Sequence, residues 1–135
     1  MVRLNLGCGT HILNGWLNDD LHHMDENILR DDMTSLRKII EPVDEIYCAH
    51  ALIYVPLSLD IEMFTRWYEI LKPNGKIFIE EPENKETWEN IKYIRTQSYL
   101  ITILETVGFS VKPIPKPNWS RHGSARGVCL EATKL

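Results

Sequence analysis

The sequence has no hydrophobic run long enough to cross a bilayer. Its longest apolar stretches are strand-sized, whereas a spanning helix needs about 20 such residues. It also lacks the apolar centre of a secretory leader, because MVRLNLGCG reads at once as a buried strand. Cysteine is scarce. Cys8, Cys48 and Cys129 are odd in number and far apart, which argues against a disulfide framework and makes the cytoplasm the expected location. No repeat, low-complexity tract or linker interrupts the chain, so residues 1–135 are expected to form a single domain with no separate substrate domain. Hydrophobic residues make up 44% and charged residues 25%, the balance of a packed domain with one sizeable core.

Positive charge is missing from most of the chain. Residues 1–108 carry 10 Lys/Arg against 18 Asp/Glu, whereas residues 109–135 carry 5 against 1. An acidic body repels a polyphosphate backbone, so nucleic acid is a disfavoured partner. The basic end either receives an acidic group or simply forms a solvated face that balances the body.

What is present is an alternation of strands and helices. Arg3–Cys8 is a short apolar run ending in Gly7-Cys8-Gly9, as expected of a buried strand entering a turn. Trp16–Leu21 and Asn27–Met33 are further strand candidates, and Val43–Ala51 (VDEIYCAHA) is a central one. After Pro56, Ser58 is placed to cap a helix from about Leu59 to Leu71, in which Ile61, Phe64, Tyr68 and Leu71 fall on one face. Pro73 stops that helix, Asn74-Gly75 turns the chain, and Lys76–Glu80 (KIFIE) is the next strand. A helical region from roughly Lys85 to Val107 ends at Gly108, in the position where left-handed residues terminate helices. Phe109–Ile114 and Gly127–Thr133 are the last strands, joined by a loop from Pro115 to Arg126. Strands alternating with helices imply an α/β, mostly parallel sheet, and two terminal strands with no helix between them imply an antiparallel edge hairpin.

Chemistry is expected at the carboxyl ends of the strands, where open α/β sheets bind ligands. Gly7 and Gly9 let the backbone turn sharply and approach a ligand with no Cβ in the way. Asp19 and Asp20 end the second strand candidate, and an acid there can accept from both hydroxyls of a ribose. The two should point to opposite faces, so only one can do this. Asp31, Asp32 and Met33 end the third candidate, where a carboxylate suits an amino donor and the thioether gives an apolar wall. His50 ends the fourth, either as a base near neutral pH or as a hydrogen-bonded structural histidine. Glu80, Glu81 and His122 are outside choices for a base. His11, His22, His23, Asp25 and Cys8 cluster in sequence, but their spacing fits no standard zinc pattern, so no metal is expected. Trp119, Arg121 and His122 on the last loop form the one candidate recognition patch.

Taken in order, LNLGCG, GWLNDD, DEIYCAHAL, LKPNGKIFIEEP and a helix ending VGF resemble the class I S-adenosylmethionine-dependent methyltransferases. The likeness is to a compact variety with a GW-x-N-x-D strand and almost no helix after the glycine turn, and it covers roughly residues 2–110. It implies a Rossmann-like, doubly wound three-layer sheet ordered 3-2-1-4-5-7-6 with strand 7 antiparallel. It implies that Leu6, Gly7, Cys8 and Gly9 bound the methionine end of S-adenosyl-L-methionine, or of the product S-adenosyl-L-homocysteine. Asp20 would hold the ribose, and Asp32 with Met33 would contact adenine. His50 would open the family's H-x-L-E-H run, as a cofactor contact and the catalytic candidate.

Two departures accompany the likeness. Ile53 and Tyr54 stand where Glu and His are usual, and Asn5 replaces an acid often found before the glycine turn. The expected activity is methyl transfer to a small-molecule or sugar-like acceptor, in an open site that either takes a larger acceptor or is completed by a partner protein or second protomer. The alternatives are a catalytically silent S-adenosylmethionine- or S-adenosylhomocysteine-binding protein and a pure interaction module. A dinucleotide dehydrogenase is disfavoured, because G-x-G here lacks the third glycine and the following helix that hold a pyrophosphate.

Overall fold

The computed structural model describes residues 1–22, 25–82, 93–115 and 127–135. Its regular elements are β1 (Arg3–Leu6), β2 (Leu17–Asp19), β3 (Val43–Ala49), α1 (Asp60–Ile70), β4 (Leu71–Pro82), α2 (Gln97–Val107), β5 (Ser110–Pro113) and β6 (Gly127–Thr133). They build one six-stranded sheet in the order β2-β1-β3-β4-β6-β5. The first four strands in that order pair in parallel. β6 runs antiparallel between β4 and β5. This is the Rossmann-like order expected from the sequence, with turns in place of a first helix between β1 and β2.

The third strand candidate, Asn27–Met33, is reduced to a single parallel bridge between Asp19 and Leu29. Side chains draw its backbone away from the ladder. After Leu29 N donates to Asn18 O and Asp20 N to Leu29 O, the Asp31 N–H turns to the Asp19 carboxylate, 2.9 Å away. Asp32 then accepts the Thr34 N–H at 2.9 Å in a tight turn.

Helix α1 starts one residue later than expected and is not capped by Ser58. Leu57–Leu59 forms a 3-10 turn, and the N-cap is Leu59, whose side chain accepts nothing. Its buried stripe also differs from the expected one. Phe64 and Leu71 are buried as expected and so are Met63, Trp67 and Ile70, whereas Ile61 is exposed and Tyr68 is half-buried against the core. α1 is apolar on two adjacent stripes, and the sheet takes the one carrying Trp67. At its end, Lys134 donates to Tyr68 O and to the C-cap Leu71 O, both at 2.8 Å, so the residue after the last strand satisfies carbonyls at the helix terminus. Asn74 takes the left-handed conformation of the following turn, with φ of 67°.

The long helix expected from Lys85 is shorter. Residues 83–92 lie outside the described set, 93–96 are extended or irregular, and α2 begins at Gln97. Thr96 caps it, its side chain accepting the Tyr99 N–H. Gly108 ends it with φ of 128°, as expected from the sequence. α1 and α2 pack against each other, and α2 against β5 and β6. The core joins Leu4, Leu6, Ile46, Cys48, Ile77, Ile79 and Leu130 of the sheet to Phe64, Trp67, Leu100 and Leu104 of the helices. No described helix is long and apolar enough to cross a membrane.

Candidate functional site

A cavity of about 550 Å³ opens at the carboxyl ends of β1, β2 and β3, a volume in the usual range for small-molecule sites. Four stretches wall it: the glycine turn, the β2 end from Asp19 to His22, the segment Asp31–Thr34, and a run after β3 from His50 to Leu59. Each stretch leaves a buried strand or a pinned loop, so these four walls are set by the core.

The glycine turn is tight by necessity. Gly7 has φ of 60°, and a Cβ placed on it would lie 2.4 Å from Ala51 Cβ. No side chain fits there, because the β1 and β3 ends touch at that point. Gly7 and Gly9 line the cavity. Leu6 and Cys8 are buried at 0% and 1% exposure and shape the turn from behind rather than lining it. Cys8 N donates to Asp19 O at 3.0 Å, which ties the turn to β2. Asn5, the departure noted in the sequence, donates to His11 O at 2.9 Å and to Asn18 Oδ1 at 2.8 Å. Its amide therefore pins the loop between β1 and β2, work that an acid could not do as a donor.

Asp20 lines the cavity and anchors its floor. One carboxylate oxygen accepts the Gly9 N–H at 2.9 Å and the other the His22 N–H at 3.0 Å. Each oxygen keeps a further lone pair for a ligand hydroxyl. Asp19 also reaches the cavity wall but is buried to 1% exposure. Its Oδ1 accepts the Asp31 N–H, and its Oδ2 has no hydrogen-bond partner. Burial, reinforced by the nearby Asp31 and Asp20 carboxylates and opposed by the Asp31 N–H, pushes its pKa up to about 7.

Asp32, Met33 and Thr34 form the third wall. Helix α1 fixes this segment from outside. Trp67 Nε1 donates to Met33 O at 2.8 Å, and the Arg66 guanidinium donates to Ser35 O, Leu36 O and Ile39 O. Asp32 Oδ1 accepts both the N–H and the hydroxyl of Thr34, leaving Oδ2 for a donor from the cavity.

The fourth wall begins at His50, which is buried and left-handed, with φ of 53°. Its N–H donates to Glu80 O at 2.8 Å. Ala51, Ile53, Val55 and Pro56 continue as an apolar surface, and Tyr54 stands at the mouth, 59% exposed. Ile53 and Tyr54 thus line the cavity at the positions where the resembling family carries Glu and His.

Several residues of the site were not singled out from sequence. Thr34, Val55, Pro56 and Leu59 carry no motif signal. Behind the fourth wall lies a buried charged group: Arg95 pairs with Asp60 at 2.6 Å, both nearly inaccessible. Glu81 is buried beside it, and burial outweighs the Arg95 cation to push its pKa up to about 8. The outside candidate Glu80 is fully buried and accepts the Tyr47 hydroxyl at 3.2 Å. Neither Glu80 nor Glu81 lines the cavity. His122 and the Trp119–Arg121 patch lie outside the described residues, as does His23 of the clustered histidines. Among the described residues no three His, Cys, Asp or Glu side chains come together as metal ligands.

No family model and no curated protein matches this chain. Solved structures do share its fold. An S-adenosylmethionine-dependent methyltransferase from Archaeoglobus fulgidus superposes with a TM-score of 0.74 at 16% identity, over 98% of this chain and 86% of that one. One from Mesorhizobium loti gives 0.66 at 17% identity, over 97% and 89%. The magnesium protoporphyrin IX methyltransferase from Synechocystis, solved with bound S-adenosylmethionine, gives 0.68 at 13%, over 98% and 69%. The chain therefore has the Rossmann-like fold of these methyltransferases, spanning most of their length.

Proposed function

We propose that this chain is a single-domain, cytoplasmic methyltransferase that binds S-adenosyl-L-methionine in the cavity and methylates a small, sugar-like acceptor. The observation that carries this reading is one hydrogen bond, Gly9 N–H to Asp20 Oδ2. It joins the glycine turn to the acid of the second strand on a single cavity floor, in a fold that solved S-adenosylmethionine-dependent enzymes share.

The residues present fit the cofactor. Asp20 holds the ribose hydroxyls through its remaining lone pairs. Asp32 Oδ2 would accept from the adenine amino group, and Met33 would give the ring an apolar wall. Gly7 and Gly9, shaped from behind by Leu6 and Cys8, bound the methionine end. The four lining aspartates, with no Lys or Arg among the described lining residues, suit a ligand that carries a sulfonium cation better than a pyrophosphate.

S-adenosylmethionine supplies an already activated methyl group, so the protein's part is alignment and proton management. His50 would be the base for a hydroxyl acceptor, taking the hydroxyl proton as the acceptor oxygen receives the methyl group and the sulfur–methyl bond breaks. Its cavity-lining position and fixed backbone support that role.

Ile53 and Tyr54 favour a second reading, in which the site holds S-adenosylmethionine or S-adenosylhomocysteine without turnover. Mass-spectrometric detection of S-adenosylhomocysteine released over a panel of sugar and phenol acceptors separates the two. Acceptor-dependent release that falls at least tenfold in His50→Ala supports the enzyme. Tight cofactor binding with no release across the panel supports the silent binder.

A further inference from the structure

Arg95 lies outside the cavity, in a stretch that the sequence reads as helical. Its surroundings are unusual. The side chain is 1% exposed. Nη1 donates to Leu52 O at 2.6 Å and Nη2 to Val55 O at 2.8 Å. Nε and Nη2 also grip Asp60, at 2.8 Å and 2.6 Å, and Asp60 accepts the Tyr99 hydroxyl at 2.8 Å. On the other side of the same turn, Leu52 N–H donates to Glu81 Oε1 at 3.3 Å, and Tyr93 N–H donates to Ile53 O at 3.0 Å. The turn Leu52–Tyr54 is therefore held from behind by a guanidinium, a carboxyl group and a backbone amide. Its front presents Ile53, Tyr54 and Val55 to the cavity.

From this arrangement we infer that Arg95 is a positioning residue for the site, setting the Ile53–Val55 wall and through it the affinity for S-adenosyl ligands. The inference rests on the reading of the cavity given above. Two backbone carbonyls and a carboxylate must be served at once in a space closed to water. A planar guanidinium with five donors in a fixed fork can do this, and a lysine ammonium with a single nitrogen cannot. A buried ion pair is also a poor source of net stability compared with apolar packing of the same volume, so stability alone does not account for it. Arg95, Asp60 and Tyr99 touch no part of the cavity, so their influence on a ligand passes entirely through the turn.

The test uses the full chain with Arg95→Lys, which keeps a cation beside Asp60 but loses the fork. Two quantities are read: amide hydrogen exchange without ligand, and calorimetric affinity for S-adenosylhomocysteine. We expect exchange at Val55 and Tyr93 to quicken at least tenfold while Ile46 and Ile79 of the central strands are unchanged. We expect the dissociation constant to rise at least tenfold. A second variant, Asp60→Leu with Arg95→Met, removes both charges together, so an orphaned carboxylate is not the cause of any loss. It should show the same local exchange and the same weakened binding. Wild-type affinity in either folded variant overturns the inference. If the wild-type chain itself fails to bind, the cofactor reading falls instead, and the exchange rates alone then decide the clamp: unchanged rates at Val55 and Tyr93 overturn it.

Discussion

Glu81→Gln should make the protein more stable at neutral and alkaline pH, and by an amount that grows with pH. Glu81 is buried at 2% exposure. Burial carries its pKa from 4.5 to about 8 in spite of the Arg95 cation nearby. Below pH 4.5 the carboxyl is protonated in both the folded and unfolded chain, and the shift has no effect on stability. Above it the unfolded chain releases the proton and the folded chain keeps it. Stability then falls by about 1.4 kcal/mol per pH unit until the folded pKa is reached. By pH 7 the loss is about 3 kcal/mol, a large share of the roughly 5–15 kcal/mol that holds a typical domain together. Glutamine keeps the acceptor for the Leu52 N–H but sets an amide N–H₂ near Arg95, at a pH-independent penalty of about 1–2 kcal/mol. Urea unfolding of both proteins at several values from pH 5 to pH 8 gives the difference directly. The variant should be equal or slightly weaker at pH 5 and about 2–3 kcal/mol stronger at pH 8. A difference that stays flat with pH would refute the reasoning, because it would mean that Arg95 keeps Glu81 ionised in the folded state.

Gly7→Ala should abolish binding of S-adenosylmethionine and lower stability by about 1–3 kcal/mol. The new Cβ meets Ala51 Cβ at 2.4 Å, on a backbone with φ of 60°, and calorimetry together with urea unfolding reads both effects. Phe64→Ala, which empties a fully buried site edge-on to Trp67, should cost about 3–5 kcal/mol in the same unfolding assay. A loss below about 1 kcal/mol there would mean that α1 is not packed as described.

The strand ends were legible in the sequence because two local signals coincide there: an apolar run that stops, and a glycine or acid that follows it. Gly7, Gly9, Asp20 and Asp32 carry such a signal, whereas Met33 and His50 stand out chiefly through the family resemblance, and the structure gathers all six around one cavity. Leu6 and Cys8 belong to the same motif, yet strand alternation and the tight turn put their side chains behind the wall. The α1 face is only partly legible in the sequence, for a physical reason. Ile61 and Tyr68 fit the period as well as Met63 and Trp67 do, and the choice between two apolar stripes is made by the sheet and by the Trp67 bond to Met33 O. The third strand failed because Asp19 and Asp32 offer side-chain acceptors that compete with the ladder, which no propensity registers. The Arg95–Asp60 pair was illegible for another reason. Its members are 35 residues apart, and each looks in isolation like an ordinary charge on a helix. Only the fold brings them together, and their burial follows from that contact.

The central claim is that the floor made by Gly9 and Asp20 binds the ribose of an S-adenosyl ligand. Isothermal calorimetry with S-adenosylmethionine and S-adenosylhomocysteine, on the wild type and on Asp20→Ala, tests it most directly. The account predicts micromolar binding that the substitution weakens at least tenfold, about 1.4 kcal/mol or more, with the fold intact by circular dichroism. No binding at millimolar ligand, or equal affinity in the folded variant, would contradict it.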